Sequence, residues 1–312
     1  MSEITEPAGG VRRTDNIALG IVLTVTVVLI FGIQDATSKV LVQTHSPFQV
    51  VMIRYWAFAA FSVVAALRQA PARALLRSSA PVLQVLRGGL LIADIWTFGL
   101  AIRTVPLGEL QAISQVYPLL VTLIAVPILG EKVGMFRIAA VAVGFLGALV
   151  IVRPGGLPLT LDVGFGLASA IAYAIYIVLT RRVSARDTTA TSMVYVGLVG
   201  LVLSTATGIF YWTPFQPREL LLIGVLMVTM ITGHGLMMRA LALAPASVLQ
   251  PFNYLSLPWS ITLSFVVFGH LIDPVSLVGV AIIAGAGLVV MARERRKAAT
   301  RPAAAEVLAP RE

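Results

Sequence analysis

Apolar runs of about 20 residues follow one another from Ile17 to Met291, separated only by short polar breaks. A helix needs roughly 20 such residues to cross about 30 Å of hydrocarbon. The pattern therefore predicts helices at 17–42, 48–67, 81–103, 108–129, 134–152, 162–181, 191–212, 218–242, 247–269 and 274–292. The fold class that follows is an all-α membrane protein with ten transmembrane helices. Residues 1–16 are left as a cytoplasmic N-terminal segment, and 293–312 as a basic, then Ala/Pro-rich, disordered cytoplasmic tail. Arg12 and Arg13 precede the first run, which is longer than a signal-peptide core and lacks a clear small-residue cleavage site, so it reads as a retained helix.

Sliding the chain against itself by about 139 to 142 residues aligns AIRTVPLGELQ (101–111) with ALALAPASVLQ (240–250), pairing Pro106 with Pro245 and Gln111 with Gln250. The same shift sets Gly130 opposite Gly269 and Lys39 opposite Arg181. Two repeats follow, 17–153 and 162–292, each with five predicted helices. Because five is odd, the second repeat enters the membrane in the opposite orientation to the first. Inverted repeats of this kind suit a transporter, whose halves rock about a site near the midplane; duplication that merely builds a stable bundle is the competing reading.

Composition agrees with the pattern. The chain is 58% hydrophobic and 12% charged, with mean hydropathy +0.93, which leaves little for a soluble domain. A net charge of +9 would point to nucleic acid in a soluble protein. Here most of the 23 Lys and Arg residues fall in segments that share one side when the N-terminus is cytoplasmic. The charge thus reads as topology, not as a nucleic-acid footprint. Cys is absent, excluding disulfides and thiolate metal sites. No GxxxxGK[ST], HExxH or GxSxG occurs, so nothing marks an ATPase, a metalloenzyme or a serine hydrolase, and no cofactor is expected.

The stretch TFGLAIRTVPLGELQAISQVYPLLVTLIAVPILGEKVGMFRIAAVAVGFLGALVIV (97–152) resembles the EamA-type domain of the drug/metabolite transporter superfamily, with Pro118 in mid-helix, the turn Gly130-Glu131 and a Gly-rich helix after it. The likeness covers about 17–292 in two copies, and the second copy has Gly269-His270 where the family usually has Gly-Glu. QDATSKVL (34–41), VVMIRYWAFA (50–59), LRGGLL (86–91) and YPLL (117–120) look like a branch of bacterial metabolite importers that includes riboflavin and S-adenosylmethionine carriers. VVMIRYWAFAAF with YPLL and ILGEKVG looks closest to the riboflavin importers. The resemblance implies a multi-pass bacterial inner-membrane secondary transporter with both termini cytoplasmic, and riboflavin import as the best single expectation. S-adenosylmethionine, amino acids or drug-like solutes, imported or exported, are the alternatives; a membrane-embedded enzyme or sensor is the alternative of another class. The expected partners are a small-molecule substrate and the lipid bilayer.

The polar residues inside the apolar runs are the candidates for function, because a charge at the bilayer centre costs about 2.5 to 3.5 kcal/mol on insertion scales. Asp35 precedes Lys39 by four residues, the favourable order for a helical ion pair, and Arg54 sits at similar depth on the next helix. An Asp35, Lys39 and Arg54 cluster is expected, either handling substrate or protons or pinning two helices together. Asp94 and His234 occupy nearly equivalent repeat positions and are further candidates for the path, with a helix–helix hydrogen bond the plainer reading of His234. Gln111, Gln115 and Tyr117 on the fourth helix, Gln250, Asn253, Tyr254 and Trp259 on the ninth, and Trp96, Tyr173 and Tyr176 form a candidate substrate lining. Pro118 and Pro258 free carbonyls there. Such a lining would take a flat, mostly neutral heteroaromatic with hydroxyls. Glu109 is expected at the outer mouth, complementing a helix dipole.

Overall fold

A computed structural model describes residues 16–69, 71–129, 134–153, 157–184, 186–244 and 246–299. Residues 1–15, 300–312 and the Gly130-Glu131 turn lie outside the described residues. Every described element is helical: α1 Ile17–Leu41, α2 Pro47–Leu67, the single turn α3 Ala72–Leu75, α4 Pro81–Ala101, α5 Leu107–Ser114, α6 Tyr117–Leu129, α7 Met135–Ile151, α8 Leu161–Ser184, α9 Thr189–Gly208, α10 Pro217–Leu243, α11 Ala246–Leu249, α12 Ser256–Phe268 and α13 Pro274–Ala299.

Local sequence sets where these helices begin. Asn16 accepts from the Leu19 amide at 3.0 Å, and Thr188 accepts from the Thr191 amide at 3.1 Å, each satisfying a donor that has no partner in its own helix. Pro47, Pro81 and Pro217 open α2, α4 and α10, where a missing N–H costs nothing. Gln216 and Glu219 close a capping box at the start of α10.

Eight helices are long and apolar enough to cross a membrane. The two remaining expected spans differ. Met135–Ile151 is apolar but has only 17 residues, and 247–269 is divided into α11, a 3-10 segment at Gln250–Leu255 and α12. The fourth expected helix is divided too, between α5 and α6 at Gln115–Val116. Both breaks stand just before a proline, Pro118 or Pro258, whose ring clashes with the carbonyl four residues back and whose nitrogen cannot donate to it. The breaks are repeat-equivalent, as the alignment of Gln111 with Gln250 requires.

Helix packing repeats the internal symmetry. α1 packs on α10 as α8 packs on α4, and α4 packs on α9 as α10 packs on α2. α2 with α9 and α7 with α13 form pairs that exchange of the halves maps onto themselves. Glycine allows the last of these contacts. A Cβ on Gly147 would stand 2.9 Å from the Gly279 carbonyl, and one on Gly279 would stand 2.6 Å from the Gly147 carbonyl.

The bundle has two distinct ends. At the first, carrying 42–46, 102–106, 152–153, 157–160, 209–216 and 269–273, one large apolar cluster runs through Leu41, Ile53, Ile102, Leu107, Leu110, Ile113, Leu226 and Leu263. Toward the second end the buried apolar residues fall into smaller separate clusters, such as Ala66, Leu75, Ala190 and Val194, or Val121, Ala125, Ala174 and Val178.

Candidate functional site

A cavity of about 340 Å³ opens inside the bundle where the helix breaks meet. It draws Asp35 from α1, Arg54 from α2, Asp94 from α4, Gln111 from α5, Tyr117 from α6, Ser169 and Tyr173 from α8, His234 from α10, Asn253 from the 3-10 segment and Ser256 from α12. The repeat is what assembles these distant residues. Broken α5–α6 and α11–α12 cross at the centre, and Gln115 Nε2 ties them by donating to the Asn253 carbonyl at 3.2 Å and to Ser256 Oγ at 3.0 Å. Gln111 Nε2 also donates to Ser256 Oγ, at 3.2 Å.

Three charged side chains face this space. Asp94 accepts from Ser169 Oγ at 2.6 Å. Arg54 reaches only a long 3.5 Å bond to Ser38 Oγ, its Nε is buried without a partner, and among the described residues it forms no ion pair within 4.0 Å. The Asp35 carboxylate accepts no hydrogen bond among the described residues. Two carboxylates and one guanidinium thus stand in a shared low-dielectric space, near enough to feel each other's charge but not bonded to each other. Groups desolvated in this way without full pairing mark a place where something else supplies the partner. Phe31, Phe98, Tyr117 and Tyr173 furnish aromatic walls, the last two with centroids 4.8 Å apart, edge to face.

His234 bonds within its own helix, Nδ1 to the Met230 carbonyl at 2.9 Å, and its ring packs on Phe58 at 4.8 Å and Phe31 at 5.2 Å. A bond to another helix is not what holds it.

Lys39 departs from expectation. It makes no pair with Asp35; Nζ donates to the Ile102 carbonyl at 2.6 Å and to the Val105 carbonyl at 2.8 Å. The Ile102 carbonyl caps α4, where it lacks an intrahelical donor and carries the negative end of the helix dipole, and the Val105 carbonyl lies in the loop beyond, so both compete effectively for the amine. The expected Asp35, Lys39 and Arg54 cluster is therefore reduced to Asp35 and Arg54.

Five other expected lining residues lie outside the cavity. Trp96 packs on Phe48, 5.7 Å between centroids, and Tyr254 is buried against Leu257 and Ile283. Trp259 donates to the Leu29 carbonyl at 3.0 Å, pinning α12 to α1. Tyr176 stacks on Tyr173 at 5.7 Å and takes the Arg87 guanidinium over its face at 5.6 Å. Gln250 is exposed and accepts from Asn253 Nδ2 at 3.0 Å. Conversely, Ser114, Ser169, Ser256 and Ser260 line the cavity and were not expected. Serine in a helix carries little pattern by itself, but Asn253, Ser256 and Ser260 repeat at helical spacing and so had a readable stripe.

One turn toward the first end from Phe98, Gln111 and Ser260 lies the layer of Ile102, Leu107 and Leu263, all buried. Beyond it a second hollow, a vestibule of about 520 Å³, is lined by Thr104, Glu109, Thr160, Asp162, His270 and Asp273 among others. Gly269 ends α12 with φ 68°, a left-handed residue that glycine adopts without strain; its amide bonds the Phe265 carbonyl and that of His270 bonds the Ser264 carbonyl. This turn sets His270 Nε2 at 2.7 Å from Glu109 Oε1.

A model of the EamA-like transporter family matches residues 18–153 and again 161–292. An S-adenosylmethionine uptake transporter of Rickettsia prowazekii is 26% identical over 269 residues, covering 85% of this chain and 90% of that one. A riboflavin transporter of Rhizobium johnstonii is 30% identical over 209 residues, covering 65% of this chain and 67% of that one. A solved crystal structure superposes with a TM-score of 0.58 at 20% identity, covering 91% of this chain and 99% of its own.

Proposed function

The chain belongs to the EamA-like transporter family, a multi-pass membrane protein and not an enzyme, and on that premise we propose that it carries a small organic zwitterion of cationic character through the central cavity. It does so by alternating access between two inverted halves of five spans each, in the bacterial inner membrane, with both termini cytoplasmic. The symmetric packing, the paired helix breaks at the cavity and the concentration of Arg and Lys at the second end support this arrangement. With the second end cytoplasmic, the large buried apolar cluster at the first end supports an inward-facing state.

The observation that carries the substrate class is the charge inventory of the cavity: Asp35, Asp94 and Arg54, without mutual contact, beside aromatic walls. An amino-acid carboxylate would meet Arg54, and its ammonium and a second onium centre would meet the two carboxylates, while a flat base stacks on Tyr117 or Tyr173. S-adenosylmethionine has each of these parts, which ranks it above riboflavin. Riboflavin is the second reading, favoured by the amides Gln111, Gln115 and Asn253 and by the Rhizobium relative, but its neutral ring system leaves the charges unanswered. The test is uptake of labelled S-adenosylmethionine and riboflavin into proteoliposomes holding the purified chain. Saturable uptake of the first, resistant to excess riboflavin, is the expected result. Riboflavin uptake alone would overturn the ranking, and neither solute moving under any imposed gradient would remove both.

A further inference from the structure

The vestibule, of about 520 Å³, is one-sided in its charge. Glu109, Asp162 and Asp273 line it with His270, and no Lys or Arg does among the described residues, in a chain with a net charge of +9. Asp273 is already matched, to Arg153 at 2.7 Å and to Ser276. Its hydrogen bonds from Ser276 and Arg153 hold its carboxyl well below the usual carboxylate range. Neither of the other two acids contacts a Lys or Arg among the described residues. Asp162 accepts from Thr104 Oγ1 at 2.6 Å, and no Lys or Arg among the described residues comes within 4.0 Å of it. Glu109 is 5% exposed; Oε1 meets His270, and Oε2 is buried with no hydrogen-bond partner. The nearby Lys39 amine gives its bonds to the Ile102 and Val105 carbonyls instead.

We propose that this vestibule is a second solute site, an outward-facing docking site for an organic cation, with Glu109 at its floor and Asp162 on its wall. A buried carboxylate oxygen without a donor is costly to leave unanswered, so a positive group fits there. A metal ion fits poorly, because among the described residues no three His, Cys, Asp or Glu side chains converge as ligands. Val105, Pro106, Leu157, Pro158 and Leu271 supply apolar wall beside the acids. Carboxylate against apolar surface is the surrounding that a methylated ammonium or sulfonium wants: charge opposite its centre, hydrocarbon against its substituents. The outward placement rests on the orientation proposed above, and the site's relevance to transport rests on a cationic solute. The site then collects from the outside the same onium group that Asp35 and Asp94 receive one layer deeper.

Binding of labelled tetramethylammonium to the full chain in lipid nanodiscs tests this directly. In an Asp35→Asn, Asp94→Asn background, which strips the central carboxylates, binding is expected to persist. Adding Asp162→Asn lowers affinity at least tenfold, and Glu109→Gln lowers it further. Asp162→Asn carries the test even where Glu109→Gln unfolds, because Asp162 lies at the start of α8 and outside the large apolar cluster. Wild-type affinity in the folded Asp162→Asn protein, or loss of all binding with the central acids alone, overturns the vestibule site. Neither result touches the carrier reading, which the uptake of S-adenosylmethionine and riboflavin decides separately.

Discussion

Near the first end of α1 the first half carries Lys39, buried and bonded to two carbonyls, while the position about 142 residues on carries Arg181, exposed at the opposite end of the bundle. The contrast recurs. Asp35 is answered by Ile177, Arg54 by Val196 and, at a shift of 139, Glu109 by Val248. The largest helix pairings map onto one another or onto themselves when the halves are exchanged, yet in the central cavity Asp35, Arg54 and Asp94 all come from the first half, against His234 from the second. Asp94 and His234 keep a polar counterpart near the repeat position, as His270 does in Glu131. Duplication thus explains the scaffold and leaves the chemistry unexplained. A symmetric frame can rock, but a solute needs one asymmetric set of charges to orient it.

The sharpest way to break this contrast is to remove the cation of the first half. Arg54→Gln leaves Asp35 and Asp94 facing each other with no positive group in the cavity, and breaking up buried charges in this way costs about 3–5 kcal/mol. Uptake is expected to fall by more than about a hundredfold, with the protein still eluting as a folded species. Arg54→Lys should recover little, since a point charge does not reproduce a planar fork. Uptake within threefold of wild type in Arg54→Gln would show that the charges of the first half do not orient the solute.

The shared frame can be broken as well. Gly147→Val drives a side chain into the Gly279 carbonyl at the α7–α13 contact, and overpacking of this kind costs about 1–3 kcal/mol. The expected result is a lower melting temperature in nanodiscs with substrate affinity kept for the fraction that folds. An intact melting temperature would mean that the two halves do not depend on this close approach.

Asp94→Asn sharpens the contrast further by separating binding from coupling. If Asp94 or Asp35 carries a coupling proton, its Asn variant keeps substrate binding and solute exchange but loses accumulation driven by a proton gradient. Accumulation unchanged in both variants would remove the carboxylates of the cavity from energy coupling.

Much of this was legible in the sequence, for reasons that differ by level. Spans are written in hydropathy, and the repeat in proline and glutamine positions, so eight of the expected spans stand as long apolar stretches, whereas the turns α3 and α11 and the run of α13 on to Ala299 carry no such signal. The breaks before Pro118 and Pro258 also follow from local chemistry. Depth singled out Asp35, Arg54, Asp94 and His234 as candidates, and all four line the cavity, because a charge in an apolar run must face inward. Rotation about the helix axis was not legible for the aromatics. Trp96, Tyr254 and Trp259 are as content in helix packing as in a cavity wall, and pattern alone does not separate the two. Lys39 failed for another reason: its true partners, carbonyls more than 60 residues away, are backbone atoms that no side-chain spacing can announce.

The smallest expected effect concerns the clasps at the two ends, where repeat-equivalent loop residues have taken different chemistry. His45 at the first end meets Glu219 at 2.9 Å, and Asp187 at the second end accepts from Ser78, from the amide and hydroxyl of Ser79 and from Gln84. Partial burial works to raise the Asp187 carboxyl, but these hydrogen bonds outweigh it and bring it down to about 2 from the usual 3.8. A carboxyl lowered on folding stabilises the folded state at pH values above its unfolded pKa, and that contribution is lost as pH falls through the folded value. Wild type should therefore melt above Asp187→Asn at pH 5 and beyond, by no more than about 3 °C given the exposure of the clasp. The difference should shrink between pH 4 and pH 2, in melts of nanodisc-embedded protein. A gap that stays constant over that range would mean that Asp187 holds its loop by shape and not by charge, and that the two clasps, unlike the two sets of cavity residues, differ in name only.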